Sequence, residues 1–248
     1  MTEDPSSRRV DVALLVGRVG VWTVRPTPRL LLLLFAGCAS TAEVPAGPGP
    51  GVSLGPPDAP LFVVALHGRG DTPENFARPW RALSATAEVW VPRAPQPRGP
   101  GWQGFDWPVT APQADVSRRL TAETARLWPE VLRRARGRPV VVLGFSQGAV
   151  LSYALAAQHP DALALALPIA GLLPEPLGPT AAAAPVVALH GTADRVIDVA
   201  FGRDTVARFR QAGGPVTLHE FPGVGHTLTP QMQQVVLDAV QKLAARSR

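Results

Sequence analysis

The sequence predicts a protein of the α/β class, with a mostly parallel central sheet covered by helices on both faces. From Leu61 onward, short runs rich in valine, leucine and isoleucine alternate with longer segments of helical periodicity. Strands that alternate with helices in this way argue for a mostly parallel sheet that is covered on both faces. The chain has 248 residues, of which 46% are hydrophobic. This is enough for one well-buried domain or for two small ones.

The predicted elements follow one another from the first strand to the last helix. Strands are expected at 61–66, 88–91, 140–143, 163–169, 186–189 and 216–221, and helices at about 73–83, 114–136, 147–158, 200–212 and 230–245. In the longest helix, Val116, Leu120, Leu127 and Val131 recur at helical spacing and form one apolar face. Pro129 is expected to kink or divide this helix.

The region before Leu61 has the pattern of an export signal. Arg25 and Arg29 precede a short apolar run that ends in Ala36-Gly37-Cys38. The apolar run is too short to span a bilayer as a helix. Its end is similar to that of a bacterial lipoprotein signal, in which Cys38 would be lipidated and would tether the protein to a membrane. Phe35 departs from this pattern, because leucine is usual at that position.

The predicted organisation therefore has three parts. Residues 1–37 are a leader with a lipoprotein-type signal peptide, residues 38–60 are a tether, and residues 61–248 are the α/β domain. The tether is predicted from the proline and glycine content of residues 45–60, which are not expected to pair in a sheet. Three alternatives stay open: cleavage elsewhere, an untargeted apolar segment, and a leader that is a start-site artefact, which would leave the protein in the cytoplasm.

Charge and composition argue against several classes of function. The formal net charge of +5 rests on arginines spread along the chain, whereas a nucleic-acid-binding face would need clustered charge with aromatic residues between. The one dense group, Arg133, Arg134, Arg136 and Arg138, is predicted at a helix end, where cations complement the helix dipole. The single cysteine excludes an intrachain disulfide, no pair of histidines has metal-ligand spacing, and no strand is followed by a nucleotide-binding glycine motif. We therefore expect no nucleic-acid partner, no metal and no cofactor.

A serine between two glycines follows the strand predicted at 140–143. The segment Gly144-Phe145-Ser146-Gln147-Gly148 is typical of a sharp turn from a buried strand into a helix, with Ser146 at its apex. Glycines on either side let strand and helix approach closely, while the serine takes a strained conformation that exposes its hydroxyl. Ser146 is therefore a candidate nucleophile.

Polar residues that could activate this serine follow other predicted strands. In an open parallel sheet, ligands bind beyond the carboxyl ends of the strands. Asp194 follows the strand at 186–189, and His226 follows the strand at 216–221. An imidazole can take the serine proton, and a carboxylate can orient the imidazole and stabilise its charged form. Asp198 is an alternative for the acid.

The combination resembles the α/β-hydrolase fold and, within it, the phospholipase/carboxylesterase family that includes acyl-protein thioesterases. Four motifs carry the resemblance: Leu66-His67-Gly68-Arg69-Gly70-Asp71, Gly144-Phe145-Ser146-Gln147-Gly148, His190-Gly191-Thr192-Ala193-Asp194 and Gly225-His226. The resemblance implies that Ser146 is the nucleophile, His226 the general base and Asp194 the orienting acid. It also implies that the backbone N–H groups of Arg69 and Gln147 form an oxyanion hole.

The resemblance further implies a small-molecule ester substrate and makes residues 61–248 a catalytic domain. Trp102, Phe105 and Trp107 lie among glycines and prolines after the second strand, and we expect them to wall the substrate pocket; a loop whose aromatics only plug the surface is the alternative. Two other functions stay open, a tethered binding protein without turnover and a peptidase on the same fold. Nothing in the sequence indicates the oligomeric state.

Overall fold

The computed structural model describes residues 49–107, 111–179 and 184–246. These residues include nine strands: β1 (Gly49–Leu54), β2 (Leu61–Leu66), β3 (Ala87–Arg93), β4 (Gln96–Arg98), β5 (Gly101–Gln103), β6 (Val140–Phe145), β7 (Leu163–Ile169), β8 (Val186–Gly191) and β9 (Val216–Phe221). Seven of them form one sheet in the order β1-β3-β2-β6-β7-β8-β9, and β4 and β5 form a separate hairpin. Only β1 runs antiparallel to its neighbour in the large sheet.

Helices cover both faces of the sheet, as predicted. They are α1 (Pro73–Ala77), α2 (Gln113–Ala135), α3 (Gln147–Gln158), α4 (Val199–Gln211) and α5 (Pro230–Arg246), with short 3-10 helices at Arg78–Ala85 and Glu175–Leu177. One buried apolar cluster joins the sheet to α2, α3 and α4, and a second joins the opposite face to α1 and α5. The α/β prediction and the predicted helices on both faces are therefore confirmed.

Two helices differ from the sequence prediction, and both differences involve a proline. The helix expected at 73–83 ends at Ala77 and continues as a 3-10 helix. Pro79 stands near this change; it has no backbone N–H and cannot complete an α-helical hydrogen bond. In contrast, α2 is a single helix from Gln113 to Ala135 that includes Pro129, so of the two expectations for this proline, a kink or a division, the division is wrong. Its C-cap is Arg136, which has a left-handed φ of 53°.

The prediction that residues 45–60 do not pair in a sheet is wrong for Gly49–Leu54. This segment forms β1, the edge strand, and pairs with β3 in an antiparallel ladder. Gly51 explains the close fit, because a Cβ at this position would lie 2.1 Å from the Val91 carbonyl oxygen. Val52 and Leu54 also pack against the buried cluster. Composition predicted a tether, but burial of these two side chains favours a strand.

The hairpin of β4 and β5 was not predicted, and it contacts the loop that follows β2. Trp102 accepts a hydrogen bond from the Gly70 N–H at 2.8 Å and donates one to the Asp71 carbonyl oxygen at 3.0 Å. A Cβ at Gly101 would lie 2.3 Å from the Gly70 oxygen, so the two loops touch through their backbones. The hairpin thereby holds the loop that carries Arg69 at the carboxyl edge of the sheet.

The predicted leader, the signal peptide with Cys38, and residues 38–48 of the predicted tether lie outside the described residues. Within the described part of the chain, no helix has both the length and the apolar character needed to cross a membrane.

Candidate active site

Ser146 lies at the turn between β6 and α3. Its φ of 54° and ψ of −116° fall in a backbone region that residues other than glycine rarely adopt. A Cβ at Gly144 would lie 2.1 Å from the Gly148 carbonyl oxygen, and one at Gly148 would lie 1.9 Å from the Leu66 carbonyl oxygen. Both glycines are therefore required by close backbone contacts, which hold the strained serine at the end of the strand.

The structure brings the three residues of the predicted triad together. His226 Nε2 lies 2.9 Å from Ser146 Oγ, and His226 Nδ1 lies 2.7 Å from Asp194 Oδ2. An ionised carboxylate only accepts hydrogen bonds, so Nδ1 carries the hydrogen and Nε2 is free to accept from the serine hydroxyl. The ring of Phe145 packs beside the imidazole at a centroid distance of 5.0 Å.

The carboxylate of Asp194 is buried and held by its own loop. Its Oδ1 accepts backbone hydrogen bonds from Val196 at 2.8 Å and from Ile197 at 2.9 Å. Burial acts to raise the pKa of Asp194, but the hydrogen bonds from His226 and from these two N–H groups outweigh it, so the pKa lies below its ordinary value. The carboxylate thus stays ionised beside the imidazole.

Asp198, the alternative acid, has a different position. It is the N-cap of α4, and its Oδ1 accepts a hydrogen bond from the Ala200 N–H at 2.8 Å. Asp194, in contrast, makes the contact with His226. The capping pattern of an aspartate before a helix was visible in the sequence and distinguishes the two residues.

The two residues predicted for the oxyanion hole lie beside the serine. Gln147 is the first residue of α3, so the geometry of the helix leaves its N–H without an acceptor within the helix. Arg69 lies in the loop after β2, and it lines the same cavity as Ser146 and Gln147. Asp71 in that loop accepts hydrogen bonds from the Thr72 N–H at 2.8 Å and the Asn75 side chain at 2.7 Å.

The serine opens into a cavity of about 430 Å³, a size typical of small-molecule sites. Its other walls are mostly apolar: Trp107, Val150, Leu172, Val196, Ile197 and Phe201. Val196 and Phe201 are 70% and 57% exposed, so they form its rim. These aliphatic residues were not predicted from the sequence, although Leu172, Val196 and Ile197 follow strands on the edge where the site was expected.

Of the three aromatic residues predicted to wall the pocket, only Trp107 lines this cavity. Phe105 is buried behind it, with ring centroids 6.0 Å apart. Trp102 lies under the guanidinium of Arg93, whose carbon is 4.3 Å from the ring centroid. The prediction is therefore wrong for Trp102 and Phe105. Trp102 lies in the hairpin and packs against Arg93, whereas Phe105 is buried in the apolar core.

The side chain of Gln147 joins the serine turn to the segment that carries Trp107. Its Oε1 accepts a hydrogen bond from the Gly104 N–H at 2.8 Å, and its Nε2 donates to the Phe105 carbonyl oxygen at 2.7 Å. Gln147 is 6% exposed, so these contacts are closed to solvent. Only a role for its backbone was predicted from the sequence, because an amide next to a nucleophile gives no signal of such a contact.

The titratable groups of the described residues include no metal site. No group of three or more histidine, cysteine, aspartate or glutamate side chains in these ranges is placed so that it could hold a metal ion.

The parallel sheet, the strained serine between strand and helix, and the histidine and aspartate on the following loops define a protein of the α/β-hydrolase fold. Comparison with known families identifies it further: the chain belongs to the phospholipase/carboxylesterase family, whose family model matches residues 57–244. It is therefore a hydrolase of the carboxylesterase type.

Similar proteins include several plant carboxylesterases and a set of solved structures. One rice relative is 29% identical over a region that covers 75% of this chain and 86% of the relative. A second rice relative is 30% identical over a region that covers 69% of this chain and 83% of the relative. The first carries the name probable inactive carboxylesterase and the second the name probable carboxylesterase. The structure of esterase PE8 has a TM-score of 0.69 at 22% identity, over 79% of this chain and 99% of that chain. Zea mays acyl-protein thioesterase 2 has a TM-score of 0.65 at 21% identity, with the same coverage of 79% and 99%.

Proposed function

We propose that this chain hydrolyses carboxylic esters, with thioesters as further substrates, through an acyl-enzyme intermediate on Ser146. The observation that carries the proposal is the position of His226, which bridges Ser146 Oγ at 2.9 Å and Asp194 Oδ2 at 2.7 Å beside an open cavity. These distances allow proton transfer between serine and imidazole without rearrangement. Membership of the family supports ester hydrolysis as the reaction.

In the first half of the reaction, Ser146 Oγ attacks the ester carbonyl carbon while its proton passes to His226 Nε2. The oxyanion that forms accepts hydrogen bonds from the N–H groups of Arg69 and Gln147. The bond to the alcohol or thiol then breaks, and the leaving group takes the proton from His226. Asp194 stabilises the imidazolium that exists between these two proton transfers.

In the second half, water attacks the acyl-enzyme and gives a proton to His226. The new oxyanion uses the same two N–H groups. When it collapses, the carboxylic acid leaves and Ser146 regains its proton. The apolar walls Val150, Leu172 and Ile197 would hold the hydrocarbon part of the substrate, because burial of each methylene contributes about 0.8 kcal/mol.

A fluorophosphonate probe tests the proposal, because it modifies only an activated serine. We expect the wild-type protein to be labelled and to release nitrophenol from nitrophenyl esters of increasing chain length. The Ser146→Ala variant should do neither, while a Ser152→Ala variant, which changes a buried serine of the same helix, should remain labelled. A folded wild-type protein that neither labels nor turns over any ester of the series would refute the proposal.

A binding protein without turnover is the second candidate. One observation favours it: the rice relative whose name describes it as inactive. Such a protein would retain an ester in the cavity unchanged. Equilibrium binding of an ester without release of alcohol, by wild type as well as by Ser146→Ala, would support this second candidate against the first.

We also propose that the protein is exported and lipidated at Cys38. The support is the sequence pattern before Cys38 alone, a charged start followed by a short apolar run. An exported enzyme would meet extracellular esters, acylated sugars and lipids rather than acyl-CoA. If a Cys38→Ser variant fractionates with membranes to the same extent as the wild type, lipidation at this residue is wrong.

A further inference from the structure

A second histidine, His190, lies next to the proposed catalytic acid. It is the last residue but one of β8 and is only 1% exposed. Burying an imidazole costs free energy unless its ring nitrogens find partners. The proposed reaction gives His190 no proton to carry, so its position needs another explanation.

His190 makes a hydrogen bond to the loop that holds the acid. Its Nε2 lies 2.8 Å from the carbonyl oxygen of Ile197. A carbonyl oxygen only accepts, so Nε2 carries the hydrogen and donates it. The N–H of the same residue, Ile197, donates to Asp194 Oδ1 at 2.9 Å. Ile197 is thus held at its carbonyl by His190 and at its N–H by the carboxylate.

The same nitrogen lies close to the second carboxylate oxygen. His190 Nε2 is 3.5 Å from Asp194 Oδ2, the oxygen that accepts from His226 Nδ1 at 2.7 Å. This distance is too long for a strong hydrogen bond. It nevertheless places a donor beside a buried negative charge, with both side chains almost completely shielded from water.

Helix α4 and strand β9 fix the imidazole from the other side. A Cβ at Gly202 would lie only 2.6 Å from His190 Nδ1, so any side chain there would push the ring. Glu220 is the register partner of His190 on β9, and its charge is paired with Arg203 at 2.8 and 2.5 Å. The charged groups that face His190 in the described residues thus include Asp194 and Glu220, which are paired in turn with His226 and Arg203.

We propose that His190 is a positioning residue for the catalytic acid. By holding the Ile197 carbonyl, it keeps the N–H groups of Val196 and Ile197 on Asp194 Oδ1 and leaves Oδ2 directed at His226. Loss of this hydrogen bond would let the loop and the carboxylate turn away from the imidazole. The inference rests on the proposed triad of Ser146, His226 and Asp194.

Three substitutions separate orientation of the acid from simple packing. His190→Leu removes the donor, and His190→Gln keeps an N–H at a similar reach. Gly202→Ala leaves every polar group in place but pushes a methyl group toward the ring. His159→Leu is the matched control, because His159 stacks on Trp128 at a centroid distance of 4.2 Å and lies in none of the site contacts described.

We expect His190→Leu to lower kcat on a soluble nitrophenyl ester by roughly tenfold to a hundredfold, by analogy with the loss of a partner that orients a metal ligand. KM should change less than kcat, because His190 itself does not line the cavity, although Val196 and Ile197 of the loop that it holds do. His190→Gln should recover most of the lost kcat, Gly202→Ala should lower kcat, and His159→Leu should leave it unchanged. In an Asp194→Asn background, His190→Leu should cost no further activity, because the carboxylate that it orients is gone.

The outcomes distinguish this inference from the proposed function. A wild-type protein without turnover refutes both. If the wild-type protein turns over the ester, two results refute only the role of His190. One is a folded His190→Leu variant with wild-type kcat, and the other is a His190→Gln variant whose kcat is as low as that of His190→Leu. Thermal unfolding shows whether each variant folds. If His190→Leu does not fold, a folded Gly202→Ala variant with wild-type kcat refutes the role instead.

Discussion

The side chain of Gln147 offers the sharpest test of how the site is held together. Its amide bonds to the backbone of Gly104 and Phe105 at 2.8 and 2.7 Å, and both of those residues are buried. Gln147→Met keeps the length of the side chain and removes both hydrogen bonds. The backbone N–H of residue 147, which we propose for the oxyanion hole, remains in the variant.

The size of the effect follows from the two backbone groups that lose their partner. Each buried and unsatisfied group costs about 1–3 kcal/mol, so the pair predicts a loss of roughly 2–6 kcal/mol in the free energy of unfolding. The segment from Gly104 to Trp107 should also move, because Gln147 ties it to the serine turn. We therefore expect KM to rise while kcat changes much less.

Denaturant unfolding measures the first effect, and steady-state kinetics on a nitrophenyl ester measure the second. Gln158→Met is the control, since Gln158 lies at the other end of α3 and outside the cavity. A Gln147→Met variant with a free energy of unfolding within about 0.5 kcal/mol of the wild type, the ordinary range of surface changes, would refute the reasoning.

A Gln147→Glu variant keeps the prediction testable if the methionine variant does not fold. Its carboxylate can accept from the Gly104 N–H, but when ionised it faces the Phe105 carbonyl oxygen and cannot donate. Protonation restores a donor, so the folded state should raise the pKa of this carboxyl. The stability of the variant relative to the wild type should therefore be highest at acid pH and fall as the pH rises.

Three further predictions concern the cavity rim, the serine turn and the loop after β2. Phe201→Ala should raise KM more for long-chain than for short-chain esters. It should change the free energy of unfolding by no more than about 0.5 kcal/mol, because Phe201 is 57% exposed. Leu132→Ala, at another exposed residue, should leave both kinetic constants unchanged. Gly148→Ala should lower the unfolding temperature and the labelling by a fluorophosphonate, since its Cβ would lie 1.9 Å from a carbonyl oxygen; Gly178→Ala, with 3.4 Å to its nearest neighbour, should change neither. Burial lowers the pKa of His67 in the folded protein, so as the pH falls the unfolded chain binds a proton at this residue before the folded chain does. The free energy of unfolding should therefore decrease as the pH falls below about 6.5. Denaturant titrations at several pH values should show a smaller decrease for His67→Gln.

Most of the fold could be predicted because the strands of a parallel sheet are buried on both faces. Their apolar runs stand out from the helical segments, and β2 and β7 have the predicted bounds. β1 could not be predicted in this way, since proline and glycine content indicates a tether. Its pairing depends on a contact between Gly51 and Val91, which are distant in the chain.

The direction of individual side chains marks the limit of prediction at the site. Trp102, Phe105 and Trp107 are close in sequence and share the same local composition, but only Trp107 faces the cavity. The hairpin of β4 and β5 and its backbone contacts with Gly70 decide this difference.

The sequence by itself determined the α/β class, the sharp turn at Ser146, and the order in which serine, acid and histidine follow successive strands. These features are local, because they depend on apolar periodicity and on glycines at defined offsets. Only the tertiary structure decided that His226 forms a hydrogen bond with Asp194, that Gln147 joins the serine turn to the segment of Trp107, and that His190 contacts the loop that holds the acid. Those contacts join residues from different loops, so they depend on the packing of the whole sheet edge.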